Sequence, residues 1–184
     1  MATAVLSFSC STTRVLGDGQ FRLADNKVVV DNDRKFNTKE IESYIKQKPN
    51  SYIIFGWNPF LNIYNWSGKN ADKGINKFLR KIGTAPVVYQ PSQVEASVEN
   101  INRHLEYLGY YGSDVRSEVR VNGKRVTVTY SVTLGRRYRI GNVSFAVPDG
   151  EFKEDFYADT AAVSIRPGDF LSEDALEKET EAYS

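Results

Sequence analysis

The chain has little of what most catalytic sites are made from: one histidine, one cysteine and one methionine among 184 residues. The lone thiol, Cys10, excludes an intrachain disulfide, and a single cysteine with a single histidine cannot build a Cys/His zinc cluster. His104 falls inside a helical pattern with no serine or cysteine nucleophile paired to it, the usual setting of a surface or part-buried polar histidine. No apolar run approaches the roughly 20 residues that a helix needs to span a bilayer. Neither charge sign dominates: 24 basic against 23 acidic residues leave +1, so there is no global electrostatic case for nucleic acid or an acidic membrane. Gly17-Asp18-Gly19 follows no strand, which discards it as a phosphate loop and leaves a linker. Glu151, Glu154, Asp155 and Asp159 lack the loop glycine and ligand rhythm of a calcium site and read as the wet face of a helix. The expectation is a protein that is no enzyme and holds no metal or cofactor.

What is present is an ordinary globular composition, 41% hydrophobic and 26% charged, with a short apolar start. Ala4-Val5-Leu6-Ser7-Phe8-Ser9-Cys10 resembles the end of a bacterial lipoprotein signal, in which the cysteine is lipidated and tethers the chain to a membrane. The alternative is a disordered N-terminus with an incidental cysteine.

Strand signals run from Phe21 to Asp31 through Val28-Val29-Val30. A helix follows, with Asn37 and Glu40 at its start, Phe36 and Ile41 as a staple, and Ile41, Tyr44 and Ile45 on its buried face. Pro49-Asn50 ends it. A second helix is expected from Ala71, with Ile75, Phe78, Leu79 and Ile82 in one stripe and Gly83 as its cap. A third runs from Ser92 to Leu108, with Ser92 and Glu95 as a capping box and Val94, Val98, Ile101, Leu105 and Leu108 as the stripe. A hairpin then turns at Asn122-Gly123, with Val115, Val119 and Val121 on its way out and Val126, Val128, Tyr130, Val132 and Leu134 on its return. A further strand over Tyr138, Ile140, Val143, Phe145 and Val147 opens a second cycle. It continues through a helix around residues 151–162, a turn at Pro167-Gly168-Asp169 and a helix capped by Ser172.

The recurring order of elements, the helix ending Leu105-Glu106-Tyr107-Leu108-Gly109-Tyr110-Tyr111 and the passage Tyr138-Arg139-Ile140-Gly141-Asn142-Val143 resemble the POTRA domains of the Omp85 outer-membrane assembly proteins. Gln47-Lys48-Pro49-Asn50 and residues 80–89 are similar to one branch, the TamA-like lipoproteins of Bacteroidetes. The resemblance implies an α+β fold of β-α-α-β-β units, each with a small mixed three-stranded sheet and helices packed on one face. It implies a signal remnant and linker over 1–20, a first domain over 21–138 with an aromatic-rich insertion at about 51–90, and a truncated second domain over 139–184. The partners it implies are unfolded outer-membrane polypeptides or partner subunits of an assembly complex. It further implies a periplasmic location and attachment to the outer membrane through Cys10 and a C-terminal β-barrel that lies outside this sequence.

Two surfaces are candidates for binding. The first is the strand Asp114, Val115, Arg116, Ser117, Glu118, Val119, Arg120 and Val121, which the resemblance places at a sheet edge, open to an added client strand or merely protected by its charges. The second is the cluster Trp57, Phe60, Tyr64 and Trp66, as an exposed docking patch, although such clusters are more often core. Arg136-Arg137-Tyr138-Arg139 lacks a surrounding basic stripe and reads as a solvated linker turn rather than a nucleic-acid site. The competing function is a ligand- or carbohydrate-binding α+β lipoprotein with tryptophans lining a pocket.

Overall fold

The computed structural model describes residues 12–51, 58–70, 74–144, 146, 150 and 163–182. The element order is β1 (Arg22–Val30), α1 (Lys39–Glu42), α2 (Pro59–Trp66), α3 (Gly74–Ile82), α4 (Pro91–Tyr107), β2 (Asp114–Asn122), β3 (Arg125–Thr133) and α5 (Glu173–Ala182). The three strands form one mixed sheet in the order β1-β3-β2. β3 runs parallel to β1 and antiparallel to β2, so the fold is α+β with a small mixed sheet.

Alternation in β3 turns Val126, Val128, Tyr130 and Val132 to one face, where none is more than 2% exposed. Ile101 and Leu105 of α4 and Ile41 of α1 are fully buried in the same cluster, joined by Leu23, Ile45, Val94 and Val115. Each such side chain contributes about 1.5–3 kcal/mol of transfer free energy, which makes this face the seat of the domain's stability. Asn32 ties the ends of the sheet: its Nδ2 donates to the Leu134 carbonyl, and its Oδ1 accepts from the Leu134 N–H, both at 2.9 Å.

Several expected details shift. The first helix is only four residues long, and Tyr44 is exposed while Ile41 and Ile45 are buried. α4 starts at Pro91, with Gln90 as its N-cap and no side-chain cap, so the Ser92–Glu95 box is not used. Proline at the first helical position fixes φ and needs no partner for a missing N–H. The hairpin turns at Gly123-Lys124, because Asn122 pairs with Arg125; Gly123 takes φ +57. Residues 12–20 are no free linker: Leu16 is 2% exposed, and Lys124 Nζ donates to the Gly17 carbonyl at 2.9 Å.

Past β3 no strand forms over the described part of 138–147. Arg139 makes a single antiparallel bridge to Phe170, supported by Ile140 N–H to the Asp169 carbonyl at 2.9 Å. The expected helix over 151–162, Phe145, Val147 and the acids Glu151, Glu154, Asp155 and Asp159 lie outside the described residues. The turn at Pro167-Gly168-Asp169 is present, and the Ser172 hydroxyl caps α5 through Ala175 N–H at 3.2 Å. The junction is a fastened one. Tyr111 and Arg136 exchange backbone hydrogen bonds at 3.1 and 3.0 Å, and the Arg137 guanidinium lies 3.9 Å from the Phe170 ring centre and 5.0 Å from that of Tyr110. Arg137 is thus enclosed between rings, not a solvated turn residue.

Gly135 has no room for a side chain: a Cβ there would run into the Tyr111 carbonyl and the Ser113 N–H. Gly135→Ala is therefore expected to cost at least about 1 kcal/mol. Urea unfolding checks this; an unchanged midpoint would show that the junction relaxes freely.

Candidate functional site

β2 is the outer strand on one side of the sheet, and among the described residues no strand pairs with its other side. Alternate residues of an antiparallel strand direct their N–H and C=O groups away from the partner, so an edge presents a row of backbone donors and acceptors. Val115 is the strand's one buried residue. On the face away from the helices, Arg116 pairs with Asp114 at 2.7 Å and Arg120 with Glu118 at 2.9 Å. These exposed pairs are worth about 0–1 kcal/mol each and cancel one another's charge. On the helix face α4 reaches Val115 but not the far end of the strand. Val119 and Val121, expected in the core, are 39% and 56% exposed. The edge therefore offers free backbone groups together with two apolar side chains at strand spacing.

The other side of the sheet is different. β1 meets the Val87–Tyr89 segment, with Leu23 N–H donating to the Val87 carbonyl and Tyr89 N–H to the Phe21 carbonyl, both at 2.8 Å. Asn26 Nδ2 donates to the Gln47 carbonyl at 2.7 Å, and a bulge lies between Leu23 and Asp25. The first five residues of β1 are thus capped or kinked, while the whole of β2 stays open.

Of the aromatic cluster, Trp57 lies outside the described residues. Phe60 and Trp66 are 44% and 62% exposed, so core packing does not hold for these two. Tyr64 is half-buried under Arg80, whose guanidinium sits 5.5 Å from the ring centre. The inward face of α2 is instead Leu61, Asn62 and Asn65; Asn65 Nδ2 donates to the Leu61 carbonyl at 2.8 Å. Asn58, the N-cap of α2, accepts from Leu61 N–H at 2.9 Å. Cys10 lies outside the described residues.

An open cavity of about 490 Å³ lies between the loop after α1, α4 and the start of α5. His104 stacks on Tyr44 there, with ring centres 3.8 Å apart, and the Tyr107 hydroxyl lies 2.9 Å from Glu177 Oε2 and 3.3 Å from Asp174 Oδ1. Hydrogen bonding to Glu177 pushes the Tyr107 phenol up to about 12. Burial holds His104 below the ordinary histidine value, against the opposite pull of Glu40 and Asp174. Trp66 lines none of this cavity.

The geometry is that of an open edge on a small mixed sheet, and one comparison with known proteins assigns the chain to a family. The family model for POTRA, described as surface antigen variable number repeat, matches residues 26–135. The chain belongs to the POTRA family, whose domains are non-catalytic protein-interaction modules of outer-membrane assembly proteins. Among solved structures, the crystal structure of Haemophilus influenzae BamA POTRA3-5 aligns at 12% identity over 92% of this chain and 89% of that one. Its TM-score is 0.30, too low to bear on the argument. No curated protein matches the chain. Among the described residues no helix is long and apolar enough to cross a membrane.

A depressed His104 means that the unfolded chain takes up the proton first as pH falls. The stability tied to its neutral form is complete above about 6.5 and is lost as pH drops through the lower folded value. Between pH 7 and 5 the melting temperature of the wild type is expected to fall more steeply than that of His104→Gln. Parallel curves would show that His104 is not linked to folding.

Proposed function

We propose that this chain binds extended polypeptides by adding them to the free side of β2, as the client- or partner-docking part of an Omp85-type outer-membrane assembly protein. The observation that carries the reading is the unpaired edge of Asp114–Asn122 with Val119 and Val121 exposed on it. Backbone hydrogen bonding gives affinity with little demand on sequence, which suits a receptor for many unfolded chains. The two valines, one step apart on the same face, supply apolar contacts for alternate residues of the incoming strand. The ion-paired arginines keep the same edge soluble between encounters.

On this reading residues 21–138 are one POTRA unit, with the α2–α3 hairpin as its insertion, and 139–184 open the next. The chain then works in the periplasm, held to the outer membrane through acylation of Cys10 and through a barrel elsewhere in the parent protein, as in the TamA-like lipoproteins. Unfolded outer-membrane polypeptides and the subunits of an assembly complex are its partners. The competing carbohydrate-site reading needs tryptophans beside a pocket, and the cavity beside His104 is lined by Tyr44 and Tyr107 instead.

The test is an NMR titration of the isotope-labelled chain with a peptide of alternating apolar and polar residues taken from an outer-membrane β-strand. Amide shifts are expected to concentrate on residues 114–122. Ser117→Pro, at an exposed position of the edge, should weaken binding by about tenfold or more while leaving the melting temperature near that of the wild type, since proline is tolerated at an edge. Shifts centred on Tyr44 and His104, or binding that survives the proline, would overturn the reading.

A further inference from the structure

α3 is amphipathic, but it faces the wrong way for a core helix. Of the stripe Ile75, Phe78, Leu79 and Ile82, expected to pack inward, Leu79 is half-buried, while Ile75, Phe78 and Ile82 are 72%, 60% and 44% exposed. The polar side makes the attachment: Arg80 Nε donates to Ser67 Oγ at 3.0 Å, and its Nη2 donates to the Gly68 carbonyl at 2.9 Å. Asn76 Nδ2 reaches the Asn70 carbonyl at 2.7 Å. The neighbouring helix α2 adds exposed Trp66 and Phe60 to the same hairpin. Among the described residues nothing buries this apolar face.

Charge states what kind of surface would cover it. Between Asn58 and Gln93 the sequence has one acid, Asp72, against Lys69, Lys73, Lys77, Arg80 and Lys81. In a chain whose net charge is only +1 this is one of two acid-poor basic stretches, and the one that carries exposed Ile75, Phe78 and Trp66; the other, residues 119–148, holds Arg120, Lys124, Arg125, Arg136, Arg137 and Arg139 along the hairpin and the passage after it. Lys77 and Lys81 are exposed on α3, Lys81 next to Phe78 around the helix and Lys77 farther from the stripe. A helix with isoleucine and phenylalanine on one face, lysines on its polar face and no acid of its own has the signature of an element that lies in the interface of an anionic bilayer. A neighbouring tryptophan fits the same interface, being apolar in its body and polar at one edge. A protein partner would not need the whole stretch to be basic.

We infer that the α2–α3 hairpin docks on an anionic phospholipid surface, with Ile75, Phe78 and Ile82 entering the acyl boundary and Lys77 and Lys81 meeting the headgroups. The inference extends the envelope location proposed above but does not depend on β2 or on acylation. It is also consistent with the proposed anchor. Val15 N–H lies 3.4 Å from Asn65 Oδ1 of α2, and Leu16 is buried. Cys10 stands five residues before Val15, a span of at most about 17 Å of extended chain. An acyl group on Cys10 would hold the hairpin within that distance of the bilayer.

The test is flotation of the full chain carrying Cys10→Ser, so that no lipid anchor contributes, with vesicles of phosphatidylcholine alone or mixed with phosphatidylglycerol. The chain is expected to float with the mixed vesicles and not with the neutral ones. Lys77→Gln with Lys81→Gln, and separately Ile75→Asp with Phe78→Asp, should each weaken partitioning about tenfold or more. All four side chains are exposed, and circular dichroism checks that the variants fold. Ser117→Pro should float like the parent, which separates this inference from the strand-addition reading. Absence of flotation, flotation that survives both double variants, or a dimer in sedimentation that Phe78→Asp abolishes would each overturn it, the last by making a second copy the occupant.

Discussion

The parallel pairing of β1 with β3 is the constraint on which the rest of the structure depends. Two parallel neighbours cannot be joined by a tight turn, so the chain must leave the sheet after Val30 and cross over before returning. α1 to α4 lie in that excursion, and the hairpin β2–β3 then delivers β3 into the middle of the sheet. Once β3 holds the centre, β2 has no place except the outside. The same arrangement buries the apolar side of β3 under α4 and leaves β2 with one covered residue. An open edge is therefore a consequence of the topology and needs no separate device to create it.

The two exposed surfaces differ in kind. β2 offers main-chain groups and is almost neutral along its length, because each arginine is answered by a carboxylate two residues away. The α2–α3 hairpin offers the side chains of two helices, and its charge is mainly of one sign, with Asp72 its one acid. An extended chain is matched by the first and a disordered, charged, apolar-backed interface by the second. They come from different parts of the chain, one from the helices inside the crossover and one from the strand that follows it.

Much of the fold was legible because its signals are local. The stripe Val94–Ile101–Leu105 marks α4, and the alternation from Val126 to Val132 marks β3, whatever lies around them. What was not legible depends on distant partners. The turn of the hairpin falls one residue later than Asn-Gly suggests, and the amine of Lys124 in that turn is held by the carbonyls of Leu16 and Gly17, more than a hundred residues away. Alternation assigns Val119 and Val121 to the helix face of the sheet, but it does not say where α4 stops. The periodicity of Ile75, Phe78 and Ile82 defines a stripe, yet the side of α3 that turns inward is decided by Arg80 and its bonds to Ser67 and Gly68. Of the site residues, the β2 edge could be read through a family resemblance, whereas the exposure of Trp66 and Phe60 could not.

Arg137, set between the rings of Tyr110 and Phe170, gives the passage out of the sheet a mechanical character of its own. A guanidinium over ring faces acts at contact range, well inside a Debye length of about 8 Å, and is little affected by dissolved ions. With the paired backbone bonds of Tyr111 and Arg136 beside it, and Arg139 lying 4.2 Å from the centre of the same Phe170 ring, three arginines within four residues brace the passage by three different contacts.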